Sequence, residues 1–238
     1  MFQLVELPIF YFVKMKTSIL VLCAVALSCF AGSLEDSRDG QIYGTVKIDN
    51  QEWMAENLNF KSDSSWCYND DSGYCLKYGR LYSWHDAMRV CPSGWHLPSR
   101  AEFETLRSSA GNLMGGCALR SKDLWEKGRN CSDVLGFGAL PAGIRLSNGE
   151  FEGEGWMTKF WSTEEYKDDR HGRPHHTGLP KYTYFWSYTE RSRFATYLDL
   201  LDFVMEASLE YYYDKNGGFS LRCIKNTNKS AAKKTPAT

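Results

Sequence analysis

The sequence predicts an α+β fold built on antiparallel strands rather than on a βαβ alternation. Three observations carry that reading. Apolar residues alternate with polar ones near both ends of the chain, two helical spacings sit side by side in the first half, and a Gly-rich, loop-rich region separates them from the later strands. At 238 residues the chain holds one good-sized domain or two small ones, and no second domain is evident in it.

Taken in order, residues 1–31 read as a signal peptide. Lys14 and Lys16 precede an apolar run over 18–31 that is too short to span a bilayer comfortably. Met15 begins a more natural signal than Met1 does, so residues 1–14 read as an over-called start. Two cleavage sites remain open. Ala26-Leu27-Ser28-Cys29 approximates a lipobox that would lipidate Cys29, whereas the ordinary peptidase would cut after Ala31. Either leaves an exported protein, at the cell envelope or outer surface if lipid-anchored and otherwise periplasmic or secreted. Residues 32–38 are polar and read as a tether.

A hairpin follows over 39–58, with Ile42, Val46 and Ile48 alternating and Asp49-Asn50 at the turn. Leu81, Trp84, Met88 and Cys91 recur at spacings of three and four and predict a helix over 78–91. The next helix, 99–109, has a stronger warrant. In CPSGWHLPSRAEFETL (91–106) prolines and Gly94 break the chain, Ser99 is placed as an N-cap, and Glu102 completes a capping box. Phe103 and Leu106 then form its buried stripe. Short strands are expected near 137–140 and 149–155, then over 195–201, 204–213 and 219–224. FWSTEE (160–165) and FWSYTE (185–190) echo each other around a polar, proline-broken loop expected to be exposed and mobile. Residues 226–238 lack apolar content and are expected to be disordered.

A formal net charge of −1 gives no electrostatic case for nucleic acid or an anionic membrane surface, so membrane contact is expected only through an N-terminal lipid anchor. Of eight cysteines, Cys23 and Cys29 belong to the signal, leaving Cys67, Cys75, Cys91, Cys117, Cys131 and Cys223. Six cysteines in an exported chain allow three disulfides in about fifteen pairings. The turn-forming Asn69-Asp70-Asp71-Ser72-Gly73 run favours a local Cys67–Cys75 bridge. No CxxC pair or Cys/His finger spacing occurs, so no structural zinc is expected, and no cofactor.

The motifs DGQIYGTVKIDNQEWMAENLNF, CYNDDSGYCLKYGRLYSWHDAM, CPSGWHLPSRAEFETL, GFGALPAGIRLSNGEF, FWSTEE and GFSLRCIK, in this order, resemble the Fibrobacter succinogenes major paralogous domain family over about residues 39–225. That family comprises exported, often lipid-anchored bacterial proteins of undefined biochemical role. More distantly the chain resembles the C-type lectin-like fold, which includes the formylglycine-generating enzymes. This resemblance implies two helices ahead of a long loop region, a Cys91–Cys223 disulfide from the first helical segment to the last strand, and with it Cys117–Cys131. A loop as long as that closed by Cys91–Cys223 would contribute on the order of 4–5 kcal/mol.

Departures from the fold's patterns narrow what can be carried over. The Glu/Gln-Pro-Asn/Asp loop and Trp-Asn-Asp strand of calcium-dependent lectins are absent, and Trp161 is followed by Ser-Thr-Glu. With all six cysteines paired, no thiol would remain for formylglycine-type chemistry.

Several residue groups invite functional readings. His171, His175 and His176 with Asp168 and Asp169 could ligate a transition metal, but they lack helical His-x-x-x-His spacing and read as a solvated loop. Asn69, Asp70 and Asp71 offer calcium-type oxygens, yet turn formation is the more ordinary role. Glu164, Glu165 and Glu190 could pair as glycosidase carboxylates, and Ser162 and Ser187 lack a nucleophile elbow. The aromatic group Trp156, Trp161, Tyr182, Tyr184, Trp186 and Tyr188 falls where the lectin-like ligand face would lie and is the candidate binding set; Trp53, Trp84 and Trp95 read as structural. The expected function is a non-catalytic module binding a glycan, fibre polysaccharide or envelope protein. The alternatives are an enzyme on a formylglycine-generating scaffold, a carbohydrate-active enzyme, or a structural surface protein.

Overall fold

The computed structural model describes residues 32–112, 115–126, 131–165, 194–201 and 207–227. The first strand, β1 (Gly32–Glu35), pairs antiparallel with β2 (Ile42–Ile48), so the stretch read as a tether opens with a paired strand. The expected hairpin forms between β2 and β3 (Gln51–Met54), in register from Thr45↔Met54 to Ile48↔Gln51, with Asp49 in the left-handed region at φ 55°. Asp tolerates that conformation better than most side chains.

The closing strand β12 (Ile224–Lys225) lies between β3 and β6 (Trp95–His96), giving the order β1-β2-β3-β12-β6. Ile224 pairs with both Trp53 and His96, which brings Cys223 beside Cys91. A second sheet has the order β11-β10-β9-β7-β8, from β7 (Ala142–Arg145), β8 (Phe151–Glu154), β9 (Met157–Glu165), β10 (Phe194–Leu201) and β11 (Ser208–Asp214). Its pairings are antiparallel except the short parallel contact of β7 with β9. Single bridges from Gly218, Phe219 and Ser220 reach Arg145, Tyr82 and Phe160, so one segment ties the sheets together.

The ribbon β9–β10 divides the interior. Period-2 alternation sends Met157, Trp161, Ala195, Tyr197 and Leu201 into one apolar cluster and Phe160, Leu198 and Leu200 into the other. Both faces are covered, which is why these strands read as aromatic and aliphatic rather than half-polar.

Sequence periodicity misleads over 78–91. The chain there forms the end of α1 (Ser72–Tyr78), then β5 (Leu81–Tyr82), paired antiparallel with β4 (Ser65–Trp66), then the four-residue α2 (Trp84–Ala87) capped by Ser83. Gly79 stops α1 at φ 74°, and a β-carbon there would come within 2.9 Å of the Asn57 and Leu58 carbonyl oxygens. The Arg80 and Tyr82 amides are instead drawn to Leu58 O and Phe219 O, at 3.0 and 2.8 Å. Nonlocal pairing outcompetes the helical spacing, and Met88 ends 43% exposed.

By contrast α3 (Arg100–Ser109) forms as its capping box dictates. Ser99 Oγ accepts from the Glu102 amide, Glu102 accepts from the Ser99 amide, and Phe103 and Leu106 are fully buried. A fourth short helix, α4, spans Gly115–Leu119.

No strand forms over 137–140, where Ala139 makes one bridge to Arg120; Gly136 and Gly138 adopt positive φ and the strand starts at Ala142. The expected strand over 219–224 reduces to single bridges and β12. Asn226, placed in the disordered tail by composition, is fixed: its amide donates to Gly94 O (2.8 Å) and its side chain meets His96 Nδ1 (2.7 Å). Residues 1–31, where a signal and Cys29 lipidation are expected, and residues 228–238 lie outside the described residues.

Candidate functional site

The local disulfide Cys67–Cys75 closes a loop whose shape follows from its residues. Asn69 and Asp70 take positive φ (52° and 56°), and Asp71 caps α1 by accepting from the Gly73 amide at 2.8 Å. The acidic run therefore builds the turn, as its ordinary reading held. The loop presents Tyr68 and Tyr74, ring centroids 5.3 Å apart. Tyr68 also lies 5.3 Å from Phe151 of β8, and Tyr74 stacks on Tyr78 at 6.1 Å.

Two glycines make room for this surface. A β-carbon at Gly143 would sit 2.6 Å from the Tyr68 ring, and one at Gly218 would sit 3.2 Å from Trp66. Over Trp66 lies the Arg145 guanidinium, 4.1 Å from the ring and 5.9 Å from that of Phe151. Its Nε is buried without a hydrogen-bond partner. Trp66, Tyr68, Tyr74, Phe151 and Arg145 are all half-buried.

The rim is polar. Tyr78 Oη donates to Glu154 Oε1 (2.6 Å), which also accepts from Lys77 Nζ (3.2 Å). Burial, reinforced by Glu154, pushes the Tyr78 hydroxyl up to about 12, and burial raises that of Tyr68. Both stay protonated donors at neutral pH. Behind the loop, Arg80 donates to Ser65 O (2.8 Å), and its Nη1 lies 3.5 and 3.3 Å from the sulfurs of Cys67 and Cys75.

The face anticipated from the sequence fares differently. Trp161 is fully buried, stacked on Phe219 at 4.1 Å, and its Nε1 donates to Tyr82 O at 2.6 Å. It is a core residue and offers no platform, because β9 is covered on both faces. Trp156 is half-buried against the same cluster. Tyr182, Tyr184, Trp186 and Tyr188 lie outside the described residues, as do Asp168, Asp169, His171, His175, His176, Ser187 and Glu190. Glu164 and Glu165 end β9, Ser162 is buried, and Trp53, Trp84 and Trp95 are core as expected. Among the described residues no three His, Cys, Asp or Glu side chains are grouped to hold a metal ion.

The pattern of the Fibrobacter succinogenes major domain matches residues 46–225. The chain belongs to this family. No curated protein and no solved structure matches it.

Within this Fibrobacter succinogenes major domain, three of the quoted motifs meet at Arg222, which is fully buried. Its guanidinium donates to Asn57 Oδ1 (2.8 Å), Phe137 O and Gly138 O (2.8 Å), and lies 4.5 Å from the Phe137 ring. Burial lowers it to about 9, against the opposing pull of Asp133 and Glu56. Asn57 in turn donates to Tyr78 O (2.8 Å). This arginine is a structural pin that joins ENLN, GFGALP and SLRC.

The remaining cysteines form Cys91–Cys223 and Cys117–Cys131, which leaves all six in bridges. Three disulfides fit an oxidising compartment. Among the described residues no helix is long and apolar enough to cross a membrane.

Proposed function

We propose that this domain is a non-catalytic binding module of the cell envelope, exported by its N-terminal segment, that stacks a neutral glycan on Trp66, Tyr68, Tyr74 and Phe151. The observation that carries the reading is the rigid mounting of these rings by the Cys67–Cys75 bridge and by the close approaches at Gly143 and Gly218. Preorganised, half-open rings with polar edges match the apolar faces and hydroxyl rims of sugars, and little ordering entropy is lost on binding. Charges of both signs surround the rings (Lys77 and Arg145 against Asp70, Asp71, Glu152 and Glu154), which favours a neutral polysaccharide over an anionic one.

A C-type-lectin-like arrangement belongs to the same proposal. It is supported by the Cys91–Cys223 staple between the region of the short helices and the last strand. Full pairing of the six cysteines supports binding over thiol chemistry. A protein partner is the second reading, favoured by Leu76, which is 86% exposed on α1.

A glycan array followed by calorimetry on the best ligand tests the proposal. Tyr68→Ala and Phe151→Ala should each weaken binding about tenfold, corresponding to roughly 1.4 kcal/mol. Trp156→Ala should change it little. Unchanged affinity in both ring variants, or an array with no ligand, overturns the glycan reading, and loss of a captured protein in Leu76→Ser would establish the second.

A further inference from the structure

The cross-strand pair Lys159 and Asp199 lies apart from the aromatic surface and plays no part in the proposed binding. The two residues are directly opposed in the β9–β10 ladder. Lys159 is 8% exposed and Asp199 2%, and Lys159 Nζ donates to Asp199 Oδ2 at 2.9 Å and to the Tyr197 hydroxyl at 3.1 Å. The ammonium also lies 4.3 Å from the Tyr197 ring centroid. Trp161 and Met157 of β9 and Ala195 and Leu201 of β10 share that face, so the surroundings are aromatic and apolar.

Asp199 Oδ1 is buried and makes no full hydrogen bond. An ion pair so placed incurs desolvation on both partners and leaves one carboxylate oxygen unsatisfied. A bond between the two side chains would remove both penalties, because it abolishes both charges and expels one oxygen.

We propose that Lys159 and Asp199 condense into an intramolecular isopeptide bond. The ammonium first passes one proton to the carboxylate across the existing hydrogen bond, giving neutral amine and carboxylic acid. The nitrogen lone pair then attacks the carboxyl carbon, forming the C–N bond. A second nitrogen proton moves to the departing oxygen, with the Tyr197 hydroxyl placed to relay it, and the C–O bond breaks to release water. One ammonium and one carboxylate thus become one amide and one water, with no oxidant or further reactant.

Two physical effects drive the step. Holding nucleophile and carbonyl in contact raises the effective concentration to about 10⁵–10⁸ M, and a dry interior disfavours the charged starting state. Burial raises the Asp199 carboxyl above its ordinary value, against the attraction of Lys159, which favours the protonated form that loses water. The product ties β9 to β10 across residues 159–199 and so closes the segment between the FWSTEE motif and the later strands.

The test is peptide mapping of the full-length protein after complete reduction, alkylation and tryptic digestion. The expected result is a branched peptide joining the sequences around Lys159 and Asp199, lighter by about 18 Da than the sum of its arms, with cleavage after Lys159 blocked. Lys159→Arg, which keeps the cation but not the amine, should abolish that peptide while its circular dichroism stays native. Linear peptides ending at Lys159, together with an unmodified Asp199 peptide from folded wild-type protein, would overturn the proposal.

Discussion

Arg222 and Arg145 both lie against aromatic rings, and their surroundings differ sharply. Arg222 lies against Phe137 and Phe160 with its nitrogens covered by the Asn57 side chain and two backbone carbonyls. Arg145 lies against Trp66 and Phe151, half-exposed, with a buried Nε that has no partner. A guanidinium carries five donors in a fixed plane, so it can be saturated by neutral oxygens and act as a pin. At Arg145 the same group keeps one buried donor, Nε, unmatched beside half-buried rings. The contrast separates a residue saturated inside the core from one packed at a half-buried surface.

Breaking the contrast begins at Arg222. Arg222→Leu strands the Phe137 and Gly138 carbonyls and Asn57, and should cost about 3–5 kcal/mol by urea denaturation. Arg222→Lys should recover only part of this, because an ammonium cannot span three separate acceptors. Next in size is Asn57→Ala, expected to cost about 1–3 kcal/mol through the same network. If either loss is confined to a few tenths, Arg222 is not the pin described.

Arg145→Ala should cost under about 1 kcal/mol in the same assay while weakening glycan binding severalfold. A stability loss rivalling that of Arg222→Leu would erase the distinction between the two sites. The smallest effect is on pH dependence, which belongs to neither arginine. Burial alone would raise the Glu102 carboxyl, but hydrogen bonds from His96 and from the Ser99 amide and hydroxyl outweigh it and hold it below 4.5. A depressed carboxyl contributes stability that is present above its unfolded value and is lost as pH falls through the folded one. Thermal melts should therefore show wild type losing its advantage over Glu102→Gln as acidity increases below about pH 4.5. Parallel curves would show that the capping box adds no linked stability.

How much of this was legible depended on how local each cause is. The capping box at Ser99 and Glu102 lies within four residues, so α3 could be read directly. The break at Gly79 could not, because the competing partners of Arg80 and Tyr82 are Leu58 and the distant Phe219. Trp161 looked like a platform because aromatic strands do not announce whether one face or both are covered. The Cys67–Cys75 bridge is legible from the turn-forming run it encloses, whereas the meeting of Tyr68 and Tyr74 with Phe151 is not, because Phe151 is distant in sequence. Arg222 gave no signal at all, since a charged side chain in a strand reads as solvent-facing until its carbonyl partners are known.

The position of β12 between β3 and β6 has a consequence for how this chain comes into being. The ladder joining the N-terminal hairpin to the middle of the molecule stays open until residue 224 arrives. A growing chain that stops short of residue 224 therefore lacks its keystone, and these two parts of the sheet are joined last.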